Sequence, residues 1–240
     1  MLYRLGLRQL GLSWAFDTEI GAPQSDRSGR GLTDFGRDVV RELNNLGMVV
    51  DATHLARRSI EDVLETSKSP ITVSHSGAAA LNPTLNPEGG WSQLLPDDLL
   101  KEVAAAGGVI SVHFMSHIVK GGPGAELHHL MAQFRYLTDL IGPNHVACGP
   151  DYLPLNPQLW ENQGAEPFSY VRGVETVADF RNVTRMLVAG GMSDDDIRWI
   201  LGQSLLSLFR TVRQFRSPNQ RQYVFAAEGF GACTEGITPL

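Results

Sequence analysis

Cysteine is scarce in this 240-residue chain, which carries only Cys148 and Cys233. Two thiols so far apart make no disulfide framework, so a reducing compartment, and with it a cytoplasmic location, is the expectation. Basic charge is in short supply as well. The chain has 20 Lys and Arg against 26 Asp and Glu, a formal net charge of -6. That balance argues against a nucleic-acid partner, because phosphate binding draws on a surplus of cations. Long hydrophobic runs are missing. The first segment, MLYRLGLRQLGLSW, is interrupted by Arg4 and Arg8, so neither a signal peptide nor a membrane span is expected there, and no other window reaches the length of one. Internal repeats and low-complexity tracts are missing too. The glycines at 107–108 and 121–124 lack the Lys and Ser/Thr that a phosphate loop requires.

What is present has the make-up of a soluble globular protein. At 42% hydrophobic and 19% charged residues, the chain can bury the core of one large α/β domain, with two smaller domains as the alternative. The most informative stretch runs over residues 31–82. It holds two short apolar runs, 48–50 and 71–73, each followed by a small polar cluster with one histidine. The first cluster is Asp51-Ala52-Thr53-His54 and the second Ser74-His75-Ser76, with a helix-length segment between them. Strand, histidine, helix, strand, histidine is how an α/β barrel assembles a site from successive strand ends.

Around this unit the pattern continues. Residues 5–14 read as a strand with Trp14 at its exit, and 17–31 as a loop rich in glycine and proline. Thr33 and Asp34 can open a helix whose apolar face is Phe35, Val39, Val40 and Leu43, closed by Gly47. Ser59 can cap a helix over 60–66, and Pro96 with two aspartates opens another through Ala106. Strands are predicted at 109–115 and 145–148 with a helix at 126–140 between them. Helices are predicted at 175–189 and 193–212, followed by an irregular tail over 213–240. Strands therefore end near 14, 54, 75, 115 and 151, which is five, whereas a closed (β/α)8 TIM-type barrel needs eight. The expected fold is a partial barrel over 1–212.

Several side chains can carry chemistry. Two imidazoles from neighbouring strand ends, His54 and His75, can share a divalent metal, commonly zinc. Alternatively each caps a helix or bonds a carbonyl. Asp151, past the fifth strand, is either a proton-transferring carboxylate or an N-cap. His113 on the fourth strand faces the barrel interior or packs outward, and the alternation does not decide which. His117 lies just beyond it. His128 and His129 sit in a helix and His145 opens a strand at the far end, where structural or solvated roles are expected. Cys148 reads as a small core residue.

The order of motifs resembles the membrane (renal) dipeptidase family of zinc dipeptidases. The resemblance covers residues 3–210 through YRLGLRQLGLSW, GLTDFGRDVVRELNNLGMVVDATH, SPITVSHSGAAALNP, AAAGGVISVHF, IGPNHVACGPDY and MSDDDIRWILGQSLLSLFR. It implies metal-dependent hydrolysis of dipeptides through a water held by two zinc ions. His54 and His75, 21 positions apart, match the histidines of the second zinc, and Asp151 the aspartate that assists proton transfer to the leaving amine. Trp14 falls at a substrate-facing position, and Asn86 where the family has a substrate-binding arginine. His113 replaces an asparagine and is a candidate extra ligand. The family's His-x-Asp pair for the first zinc and its bridging glutamate belong to earlier strands and have no counterpart in this sequence. Leu153, Ser204 and Ser207 also depart from the family pattern. The chain thus reads as the C-terminal five-eighths of such a barrel, with two open sheet edges that a second copy or a partner chain would cover. A catalytically impaired barrel, kept as a binding or assembly module, is the alternative.

Overall fold

The computed structural model describes residues 2–14, 16–82, 94–153 and 169–217. Its centre is a sheet of five parallel strands paired strictly in chain order: β1 (Gln9–Gly11), β2 (Val49–Asp51), β3 (Thr72–Ser76), β4 (Val109–Val112) and β5 (Val146–Cys148). Parallel neighbours need a crossover, and crossovers are right-handed. When each step moves to the next strand in the same direction, all crossover helices fall on one face. The sheet is therefore singly wound, an arc of a (β/α)8 barrel whose other face is the interior. Among the described residues, β1 and β5 each pair on one side only.

The crossovers are α1 (Asp34–Leu46), α2 (Arg57–Thr66), α3 (Asp97–Ala105), and the pair α4 (Ser116–Lys120) and α5 (Leu127–Ile141). In α1 the Thr33 hydroxyl accepts from the Gly36 amide, and Gly47 closes the helix at φ 67. The buried face differs from the periodicity reading, because Phe35 points to solvent at 55% exposure. Gly36 is buried instead, and a Cβ there would lie 1.9 Å from the Ile20 carbonyl oxygen. Helix α2 starts three residues early, at Arg57. Ser59 is not its cap; its hydroxyl donates to the Ala22 carbonyl at 2.9 Å.

Other bounds also moved. Residues Leu2–Leu5 form a 3-10 turn, and Gly6, at φ 102, separates it from a β1 of three residues. Strand β4 stops at Val112, short of the expected 115, and the short helix α4 follows. Pro143–His145 is a 3-10 turn, so β5 begins at Val146. Beyond β5 lie α6 (Arg181–Ala189), α7 (Asp194–Arg198) and α8 (Ser204–Gln214), the last two joined by a π-helical stretch, Trp199–Gln203.

Strands β2 and β4 are buried on both faces, as inner strands of a parallel sheet are, whereas β1 at the edge is not. Leu208 and Val212 of α8 pack on Val49, Val109 and Ala147, so α8 closes the amino ends of β2, β4 and β5 like a floor. No described helix is long and apolar enough to cross a membrane.

Candidate metal centre

At the opposite, carboxyl ends of the strands four titratable side chains converge. His54 follows β2, His75 lies within β3, His113 follows β4 and Asp151 follows β5. The His54 and His75 Nε2 atoms are 3.0 Å apart. Asp151 Oδ2 lies 3.9 Å from His75 Nε2 and 3.5 Å from His113 Nε2. The ligand atoms of His75, His113 and Asp151 all fall within 4.8 Å of one another.

Backbone conformation aims two of these groups. His54 (φ 66) and Asp151 (φ 52) are the only non-glycine residues at positive φ among the described residues. Both belong to types that tolerate the left-handed region better than most, although such a conformation still costs about 1 kcal/mol or more. Each is held there through its carbonyl. The Gln24 amide donates to His54 O at 2.7 Å, and the Tyr170 hydroxyl to Asp151 O at 2.6 Å.

Burial sets the protonation of the site. It pushes the His54 pKa down to about 4, with help from His75. The His75 pKa is lowered, chiefly by burial. Burial likewise lowers that of His113 and takes the nearby His117 to about 4. For Asp151, burial alone would raise the carboxyl, but His113, His75 and His54 outweigh it and hold it below the usual range. The site at neutral pH is neutral imidazoles around a carboxylate, the protonation state a cation needs.

The two central histidines are wired differently. The Met115 amide donates to His113 Nδ1 at 3.1 Å, so His113 Nε2 carries the ring proton. That Nε2 is buried, has no full hydrogen-bond partner and points toward Asp151. His75 Nδ1 instead faces the Ser74 hydroxyl at 3.1 Å. Behind Ser74 stand Thr53 and Asp51, two polar residues buried at the β2 end. The sequence displays both in the Asp51-Ala52-Thr53-His54 cluster, and small polar residues next to a strand-end histidine were the available signal for them.

The remaining expected residues are less closely tied to the centre. Trp14 is 60% exposed and meets the His54 ring edge-on at 6.3 Å. Asn86 lies outside the described residues. His145 Nδ1 donates to the Gly108 carbonyl at the amino end of β4. Burial raises the Cys148 thiol to about 12, leaving it in the unreactive thiol form.

A singly wound parallel sheet with imidazoles and a carboxylate at its strand ends is an arrangement in which an α/β barrel can hold a metal ion. The family model described as membrane dipeptidase (peptidase family M19) matches residues 1–223, and the chain belongs to that family. It is 27% identical over 215 residues to dipeptidase tcpJ of Claviceps purpurea, covering 88% of this chain and 46% of that protein. The solved structure of dipeptidase AC, a metallo peptidase, is 26% identical at a TM-score of 0.73, covering 88% of this chain and 60% of the other. A metallo peptidase from Rhodobacter sphaeroides, liganded with a phosphinate mimic of the dipeptide L-Ala-D-Ala, is 23% identical at a TM-score of 0.72. Coverage there is 88% of this chain and 57% of the other. The chain thus spans about half the length of the curated relative.

Proposed function

We propose that this site serves zinc-dependent hydrolysis of dipeptides. The observation that carries the reading is the convergence of the His54 and His75 Nε2 atoms, 3.0 Å apart, beside the Asp151 carboxylate. The imidazole nitrogens fit a zinc ion, which binds neutral histidine readily and in catalytic sites keeps a position for water. His54 and His75 would hold the ion, with Asp151 as the adjacent carboxylate. One ion, rather than the family's two, is what the described residues provide for. When bound, the ion supplies polarisation of the peptide carbonyl and a water acidic enough to act as nucleophile near neutral pH.

The protein's own groups do the rest. Asp151, ionised among imidazoles, accepts the proton released as water oxygen bonds to the carbonyl carbon. It then returns that proton to the amine nitrogen as the C–N bond breaks, leaving two amino acids. His113 Nε2–H points at the Asp151 carboxylate and keeps it ionised and oriented. Trp14 walls the mouth beside His54. A second reading, a binding or assembly module without turnover, is favoured by the lack of a bridging carboxylate among the described site residues.

Hydrolysis of L-Ala-D-Ala and L-Ala-L-Ala, measured alongside bound zinc, tests the proposal. The chain should bind one zinc and release alanine. His75→Ala should lose the zinc. Asp151→Asn should keep it while turnover falls by about a hundredfold or more. Zinc without turnover in the unaltered chain favours the second reading, and two zinc ions per chain would contradict the single-ion assignment.

A further inference from the structure

We propose that Asp51, Thr53 and Ser74 form a one-way hydrogen-bond relay that fixes the tautomer of His75, so that its Nε2 lone pair faces the metal. The inference rests on the metal reading above only for its purpose. The relay itself follows from counting protons.

Three side-chain contacts lie in series. Thr53 Oγ1 is 2.6 Å from Asp51 Oδ1, Thr53 Oγ1 is 3.1 Å from Ser74 Oγ, and Ser74 Oγ is 3.1 Å from His75 Nδ1. The Asp51 carboxylate is an acceptor only. Its Oδ1 takes the Thr53 amide at 3.0 Å and the Ser74 amide at 3.2 Å as well, and its Oδ2 takes Gln9 Nε2 at 2.9 Å. The Thr53 hydroxyl must therefore spend its single proton on Asp51. The Thr53–Ser74 contact then needs the Ser74 proton. Ser74 has none left for the ring, so the third contact needs a proton on His75 Nδ1. Three hydrogen bonds require three protons, and the only arrangement that supplies them runs from His75 through Ser74 and Thr53 to Asp51.

The direction has a chemical consequence. A neutral imidazole with its proton on Nδ1 has its lone pair on Nε2, the atom that faces His54. Metal-binding histidines are characteristically oriented in this way, by donating the other ring N–H to an acceptor. The two neighbouring histidines are thus set oppositely. His75 offers the site a lone pair, and His113, whose Nδ1 accepts from Met115, offers it a proton. Thr53 is buried, and the Ser74 amide also donates to its Oγ1 at 2.7 Å, so the relay is held rigidly between β2 and β3. Asp51, Thr53 and Ser74 act through His75 and are positioning residues.

The test reads the tautomer directly. Imidazole nitrogen-15 shifts of the metal-free chain should show His75 protonated at Nδ1. Thr53→Val, which keeps the side-chain shape and deletes the hydroxyl, should lose that preference and weaken zinc binding about 10- to 100-fold by chelator competition. Thr53→Ser should restore both. Ser74→Ala breaks the same relay one step closer to the ring and should act like Thr53→Val, which covers the case in which the valine variant does not fold. An Nε2-protonated His75 in the unaltered chain, or unchanged tautomer and affinity in the variants, overturns the relay. An Nδ1-protonated ring in a chain that takes up no zinc supports the relay and overturns the metal reading instead.

Discussion

At the scale of single residues, the site depends on side chains kept neutral or aimed by unusual means. His54 and His117 have pKa values near 4 against an ordinary 6.5 because they are buried. The unfolded chain therefore binds protons near pH 6.5 that the folded chain refuses until about pH 4, and stability falls as pH drops through that window. The lowered Asp151 pKa adds a loss in the same direction at still lower pH. Thermal melts of the metal-free chain should be flat above pH 7 and shift down steadily from pH 6.5 to pH 4.5. An invariant midpoint would mean the histidines are not buried as neutral rings. His113 gives a second prediction. With the Met115 amide bound to its Nδ1, His113→Gln should leave bound zinc unchanged while lowering turnover. Elemental analysis of the purified variant decides this, since a ligand's loss would lower the metal content.

At the scale of elements, the closest approach in the sheet is at Gly149, where a Cβ would lie 2.1 Å from the Ser74 carbonyl oxygen and 2.7 Å from Ser111 Cβ. Gly149→Ala must push β3 away from the β5 exit, so a loss of about 1–3 kcal/mol is expected from urea unfolding. Because Ser74 adjoins His75, zinc affinity should fall with it. Much of the element order was legible in the sequence, because short apolar runs ending in polar clusters mark buried parallel strands. His54, His75 and Asp151 were legible for the same reason, each lying at or just beyond such a run. The misreadings are local and physical. Phe35 looked like a core position because a glycine carries no hydropathy signal, yet Gly36 is the residue that must approach Ile20. Ser59 looked like a cap because its side-chain partner, Ala22, is 37 positions away. The relay behind His75 stayed hidden because it exists only where β2 and β3 are side by side.

At the scale of the whole molecule, the five-stranded arc leaves β1 and β5 each with one edge unpaired among the described residues. Open parallel edges next to an apolar interior favour pairing with another chain. We expect this chain to self-associate in solution or to require a partner segment, and light scattering checks this, with a stable monomer contradicting it. The floor helix carries a different consequence, one of time rather than space. Since each strand pairs with the one made just before it, the arc can grow in the order the ribosome delivers it, with little searching between distant segments. Yet Val49, Val109 and Ala147, contributed by the second, fourth and fifth strands, are covered by Leu208 and Val212 near the end of the described chain. Assembly is thus incremental while locking is deferred, and the site at one end of the sheet waits on α8, made after all five strands, to cover the other.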